Sequence, residues 1–359
     1  MPSLVRIGLV GPDQTQPCGI ADYTERLALA LKSECDLVFV PFRNALAAPE
    51  LSDCRAILVQ YERSLVPGDD FLQRFGARHP KRVYVVPHEV YAEDPFAFPY
   101  ASLRSMFPPV LWLRRLAYRW RHRGYAREKL LQAAGYGAHA VIPLSGPGAD
   151  ILRAMAPGKI IAPVPHAYFI PPAAGKAPAR TDLFPAAPRA ILGMFGFLNP
   201  GLDYASVFEL LSGLDSGVAL LILGGPRDDR GLQGRLEAEA DAKGLGARVR
   251  ITGWIAPADV GAHLALCDIF LCPMRFKSNS GSLLHLIHLG RPVLAADLPL
   301  TRWLHSEGAP LELYRDAADL RAKVSACLAG TLPLIVNRYG WDFPTAARAY
   351  LRAMGAGPA

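Results

Sequence analysis

The chain has 359 residues, of which 51% are apolar and 20% charged, so it is long enough for about two domains with sizeable cores and is not a disordered polymer. Its net charge of +7 is too modest to imply nucleic acid as a partner, and no RNA- or DNA-binding motif accompanies it. The six cysteines form no CxxC pair and no disulfide framework, so they read as small buried residues of a reducing compartment, with no metal site expected. The start, MPSLVR, runs straight into a strand pattern without a signal peptide, and no run of about 18 apolar residues follows; a cytoplasmic protein is expected.

In chain order, strand patterns fall at Val5 to Val10, Leu37 to Val40, Ala56 to Gln60, Val83 to Val86, Ala138 to Pro143 and Ile160 to Pro163. The loop from Gly11 to Gly19 opens a helix over Ile20 to Leu31, with Leu27 and Leu31 at i,i+4 spacing. Between Ile170 and Pro188 the composition turns to Pro and Ala, a linker signature. A second series of strands follows at Ala190 to Phe195, Val218 to Leu223, Val249 to Thr252, Ile269 to Cys272 and Val293 to Ala296. Helical patterns fall between them at Leu232 to Lys243 and Ala258 to Ala265, and Thr345 to Met354 reads as a closing helix. Strands alternating with helices predict parallel, doubly wound sheets. The expected fold class is α/β, two Rossmann-like domains facing across a cleft. The boundaries are an N-terminal domain over 1–170, a linker over 171–189, a C-terminal domain over 190–335 and a helix over 336–359 that returns to the first domain.

The stretch CPMRFKSNSGSLLHLIHLGRPVLAADL, from Cys272 to Leu298, carries the most chemistry. Asn279, Ser280, Gly281 and Ser282 stand just before an apolar helical run that Gly290 ends. Ser and Asn favour helix N-caps, Gly admits close approach of a ligand to the backbone, and helix-start amides attract phosphate. The same pattern also suits an ordinary capped helix in a strand-helix-strand unit.

Taken together, landmarks in matching order resemble the GT-B glycosyltransferases, specifically glycosyltransferase family 4, over nearly the whole length. They are PCGIADY from Pro17 to Tyr23, VQYE from Val59 to Glu62, VPHEV from Val86 to Val90, and PHA from Pro165 to Ala167. GFLNP from Gly196 to Pro200, Gly224-Gly225, Gly253-Trp254 and RYGWD from Arg338 to Asp342 continue the series. The resemblance implies a retaining hexosyltransferase that uses a nucleotide-diphosphate sugar as co-substrate, needs no metal or other cofactor, and serves polysaccharide or glycoconjugate synthesis. It implies that Gly19 approaches the diphosphate and that His88 contacts the donor sugar. Asp22, one turn into the first helix, is in position for an acceptor hydroxyl, or simply offers favourable charge near a helix N-terminus. Gln60 and Glu62 end a strand at the same rim.

This chain departs from the family at its acidic E-x(7)-E motif. Counting back from Gly290-Arg291-Pro292, the two Glu positions hold Lys277 and His285. The segment Phe197 to Asp203 also lacks the family's diphosphate-binding cations, so Arg275 and Lys277 are the candidate replacements. A histidine can donate to a ribose hydroxyl or a phosphate, whereas a carboxylate accepts two hydroxyl protons, so His285 implies a changed grip on the donor.

From Leu111 to Leu130, seven cations face one acid, Glu128, with Trp112, Tyr118, Trp120 and Tyr125 interleaved. This composition fits the headgroup layer of an anionic membrane, giving a peripheral enzyme with a glycan or lipid-linked acceptor, or else a solvated helix face. A catalytically silent GT-B-like binding protein is the competing reading. A GT-B epimerase or phosphorylase lacks its catalytic set here.

Overall fold

The computed structural model describes residues 4–13, 18–91, 123–170, 175–226, 231–275 and 277–356. The chain divides into two compact units, Met1–Ala167 with Trp341–Ala359, and Tyr168–Gly340.

The first unit is built on six parallel strands: β1 (Arg6–Gly11), β2 (Asp36–Pro41), β3 (Ala56–Tyr61), β4 (Val83–Pro87), β5 (Ala140–Val141) and β6 (Ile160–Ile161). Their order is β2-β1-β3-β4-β5-β6. Register is set by Val10 opposite Val40 and Val59, and by Gln60 opposite Val86. Because both faces of the sheet are covered, β3 is buried throughout and reads as an apolar run interrupted only by Gln60. On one face Leu9, Leu58 and Val86 pack with Leu27 and Leu31 of the helix Gly19–Lys32 and with Tyr350 of the helix Phe343–Ala353. Ala346, Ala347 and Ala349 of that last helix are buried, and the Tyr23 and Tyr350 hydroxyls lie 3.1 Å apart. The other face buries Val10, Val59 and Val85 against Phe71 and Phe75.

A helix at Arg123–Ala133 covers the end of the basic-aromatic stretch. Its Glu128 is buried, not solvated: the Tyr61 and Tyr136 hydroxyls donate to its two carboxylate oxygens at 2.8 and 3.1 Å. Arg127 pairs with Asp69. Residues 111–122, which hold most of the stretch's cations and three of its four aromatic rings, lie outside the described residues.

Burial raises the Glu128 carboxyl above its ordinary value of 4.5, against the pull of the two hydroxyls and Arg63. The native state therefore holds this proton to a higher pH than the unfolded chain does, and stability falls as pH rises through that window. Glu128→Gln should flatten this fall, read as urea midpoints from pH 4.5 upward; an unchanged slope would contradict the assignment.

The second unit repeats the plan with β7 (Ala190–Phe195), β8 (Val218–Leu223), β9 (Val249–Ile251), β10 (Ile269–Cys272), β11 (Val293–Ala296) and β12 (Leu311–Tyr314). All are parallel, in the order β12-β11-β10-β7-β8-β9. Its core gathers Leu192, Met194, Leu220, Ile222 and Leu271 with Val207, Phe208 and Leu211 of the helix Tyr204–Ser212. Arg180 ties the strap before β7 to the sheet through Asp268 at 2.9 Å, and Asp268 also accepts from the Ile191 amide. The helix after Ser280 spans Gly281–Leu286, shorter than the apolar run to Leu289 suggests.

Candidate functional site

A doubly wound sheet opens a crevice at the carboxyl ends of the two neighbouring strands whose connections leave in opposite directions. In the second unit these are β7 and β10, since the chain runs from β7 outward to β8 and β9 and then returns to β10. The two loops at that point are 196–203 and 273–280, the second at its described residues. They are joined: Asp203 N–H donates to the Pro273 carbonyl at 2.8 Å, and Arg275 N–H to the Gly201 carbonyl at 3.0 Å. Leu202 and Met274 form an antiparallel bridge.

Gly196 sits at φ 122°, and a Cβ there would lie 3.1 Å from both Cβ and Oγ of Ser282. The turn after β7 thus rests directly on the first turn of the helix Gly281–Leu286. Beside it, Gly224 at φ 142° follows β8, and a Cβ there would overlap the Gly196 carbonyl. The Leu198 amide bonds the Gly225 carbonyl at 2.9 Å, and the Gly224 amide bonds Thr252 Oγ1 at 3.1 Å. These contacts tie the segments following β7, β8 and β9 to one another.

Ser280 is the N-cap, its hydroxyl accepting from the Leu283 amide at 3.4 Å. Gly281 and Ser282 are half-buried in the first helical turn, and Asn279 is half-buried just before it. First-turn amides have no carbonyl four residues back, which is what gives a helix start its affinity for anions. Arg275 stands at this rim but is engaged: Asp203 accepts from it at 3.0 Å. Burial alone would raise the Asp203 carboxyl, but bonds from Ser206 and Arg275 hold it below its ordinary value. Asp203 also caps the helix Tyr204–Ser212 through the Ser206 amide. Lys277 is half-buried next to Ser278. His285 lies edge-on to Phe169 and Phe195, with ring centres 5.4 and 5.6 Å away; Phe195 ends β7, so His285 belongs to the same rim.

In the first unit the corresponding point lies between β1 and β3. Gln60 is fully buried near the end of β3, and His88 follows β4. The His88 Nε2 lies 2.8 Å from Gln60 Oε1. Tyr23 packs edge-to-face with His88 at 5.3 Å, and the His166 ring stands 6.4 Å away. Burial, helped by His166, pushes the His88 imidazole down to about 3, so the ring is neutral at physiological pH. The Asp22 carboxylate accepts from Arg26 Nε at 3.0 Å, one turn along the helix. Gly19 is exposed, and among the described residues a methyl there would meet nothing within 4 Å, so packing against them does not require its small size.

The sequence did not single out Gly196 against Ser282, the Asp203–Arg275 pair or the Gln60–His88 bond as contacts. Only Asp203 carried a local sign, as an Asp three residues before Ser206 at a helix start.

Residues 201–329 match the family model described as "Glycosyl transferases group 1". The structure is similar to HepE of Anabaena in complex with UDP and glucose, with TM-score 0.59 and 15% identity over 98% of this chain and 95% of that one. The fold is GT-B. It is also similar to sucrose-phosphate synthase of Thermosynechococcus elongatus, with TM-score 0.61 and 14% identity over 98% and 94% of the two chains. WaaG, a glycosyltransferase involved in lipopolysaccharide biosynthesis, aligns with TM-score 0.57 and 16% identity over 97% and 95%. No curated protein matches this GT-B chain. Among the described residues no helix is long and apolar enough to cross a membrane.

Proposed function

We propose that this GT-B protein is a glycosyltransferase that takes a hexose from a nucleotide-diphosphate donor. The observation that carries the reading is the β7/β10 crevice: the loop after β10 and the helix start that follows it lie within the segment matching the group 1 model, and Gly196, just ahead of that segment, seats backbone against the Gly281–Ser282 helix start. HepE, similar in fold, is a structure with UDP and glucose bound.

In this reading the donor diphosphate lies on the amides of Gly281 and Ser282, with the hydroxyl-bearing Ser280 and Asn279 beside them. Arg275, partly neutralised by Asp203, and Lys277 supply positive charge to the leaving diphosphate. His285 faces the donor in place of a carboxylate and so grips a ribose by one bond where an acid would accept two. The bond from the anomeric carbon to the diphosphate breaks, and an acceptor hydroxyl bonds to that carbon. The hydroxyl's proton leaves with the diphosphate. Retention at the carbon follows the family resemblance. In the first unit, His88 meets sugar hydroxyls as a neutral ring, and Asp22, shared with Arg26, is the candidate acceptor contact; Gly19 leaves open space for a ligand. No metal is required by this scheme.

Donor hydrolysis and thermal shift across UDP-, GDP- and dTDP-sugars test the reading. One nucleotide class should both stabilise the protein and turn over. Binding without turnover on any acceptor favours the second reading, a silent GT-B binder beside an active transferase, which Lys277 and His285 in the two acidic positions support. The acceptor is proposed to be a glycan or a lipid-linked sugar, reached from an anionic membrane surface through the stretch ending in the helix Arg123–Ala133. Vesicles rich in acidic lipid should co-sediment the protein at low salt and release it at high salt; no binding at low salt removes the membrane role.

A further inference from the structure

The first unit holds a polar constellation that packing alone does not require. Gln60 has no exposed surface, on the face of β3 shared by Leu58, where an apolar side chain would bury as well. Its amide oxygen meets His88 Nε2 at 2.8 Å, and its amide nitrogen is buried with no hydrogen-bond partner among the described residues. A buried orphan donor is costly to keep, which argues that the amide serves something other than the fold.

We infer that Gln60 is a positioning residue that fixes His88 as its Nε2–H tautomer and leaves Nδ1 as the acceptor for a ligand hydroxyl. An amide oxygen only accepts, so a bond of this length to Nε2 places the ring proton there. The backbone holds the pair in line: the His88 amide donates to the Tyr61 carbonyl at 3.0 Å, one residue past Gln60. Tyr23 closes one side of the ring at 5.3 Å, and His166 stands perpendicular at 6.4 Å, its Nδ1–H donating to the Ala167 carbonyl at 2.7 Å. Among the described residues, the polar and titratable groups about the ring are therefore Gln60, Tyr23, His166 and, next in the chain, Glu89. Burial raises the Tyr23 hydroxyl to about 12, so it stays neutral, and His166 is the only described residue whose charge acts on the ring, opposing protonation. A neutral ring with its one proton committed to Gln60 can only accept at Nδ1. That polarity selects ligands with a free hydroxyl, such as a sugar, over ligands presenting only acceptors. The inference rests on the proposed sugar-binding role of His88 for its function, but the tautomer stands apart from it.

The test is long-range proton–nitrogen NMR of ring-labelled histidine in the full-length protein without ligand. The His88 signal, assigned by its loss in His88→Asn, should show a protonated Nε2 and a bare Nδ1. Gln60→Leu, close in volume, should abolish that preference, and Gln60→Glu should lift the ring's titration midpoint by about 1–3 pH units. A protonated Nδ1 in the wild type, or an unchanged tautomer in Gln60→Leu, overturns the assignment. Because the spectra need no donor, failure of the glycosyltransferase reading would show separately, as absent turnover with every nucleotide sugar while the tautomer remains locked.

Discussion

Gly224→Ala should lower the melting temperature of the second unit by roughly 6–12 °C, which at 2–4 °C per kcal/mol corresponds to about 3 kcal/mol. Gly224 lies at φ 142°, a region that costs a side-chain-bearing residue of order 1–3 kcal/mol by itself. The new methyl would also overlap the Gly196 carbonyl, a backbone atom that cannot swing aside as a flexible side chain would. Gly196 must then move, and with it the contact to Ser282. Nucleotide binding should weaken together with stability, since one displacement disturbs both. Gly234 is the internal control. It lies in the helix Gly231–Ala242 with nothing within 4 Å of a built Cβ, so Gly234→Ala should stabilise by about 0.5–1 kcal/mol. Calorimetry of the two variants decides the matter: a melting temperature for Gly224→Ala within about 1 °C of the wild type would contradict this packing of the rim.

The second large effect is on binding without loss of fold. Ser282→Asp places a carboxylate in the first turn of the helix Gly281–Leu286, where the helix dipole favours it by about 0.3–1 kcal/mol. Stability should hold or rise. The same charge faces the proposed diphosphate. Like charges about 4 Å apart near a protein surface repel by about 4 kcal/mol, so nucleoside-diphosphate affinity should fall by about 10²- to 10³-fold. Ser282→Ala loses one hydroxyl and should cost only about 0.5–1.5 kcal/mol of binding. Titration calorimetry with UDP or GDP, whichever binds the wild type, separates the two. Equal affinity in Ser282→Asp would place the phosphates elsewhere.

The central strands were legible because they are buried on both faces. β3 and β8 are six-residue runs without an exposed position, and such runs stand out from any helical period. β12 was missed because it is an edge strand whose Glu312 pairs with Lys323, which breaks the apolar run. The helix Gly146–Met155 was missed because it opens with Gly-Pro-Gly, a loop signal, although Ser145 caps it through the Gly148 amide. Glu128 stood out as the lone acid in a basic stretch, and its composition gave no sign that two tyrosine hydroxyls 67 and 8 residues away would bury it.

The candidate site divides in the same way. The Ser280 cap and the glycine after it are local, so adjacent residues announced them. The Asp203–Arg275 bond spans 72 residues, and the Gly196–Ser282 contact depends on β7 and β10 being neighbours in the sheet. Strand order is not written in any single segment. Once the order is known, the crevice at β7 and β10 follows, and the loops that a linear reading had picked out separately are brought to one rim.

A crystal structure grown with the nucleoside diphosphate that most stabilises the protein tests the central claim most directly. The account predicts both phosphates over the Gly281 and Ser282 amides, beside Gly196, with Arg275 or Lys277 within reach. Phosphates bound anywhere else, or that rim filled by the protein's own side chains while nucleotide is bound, would contradict it.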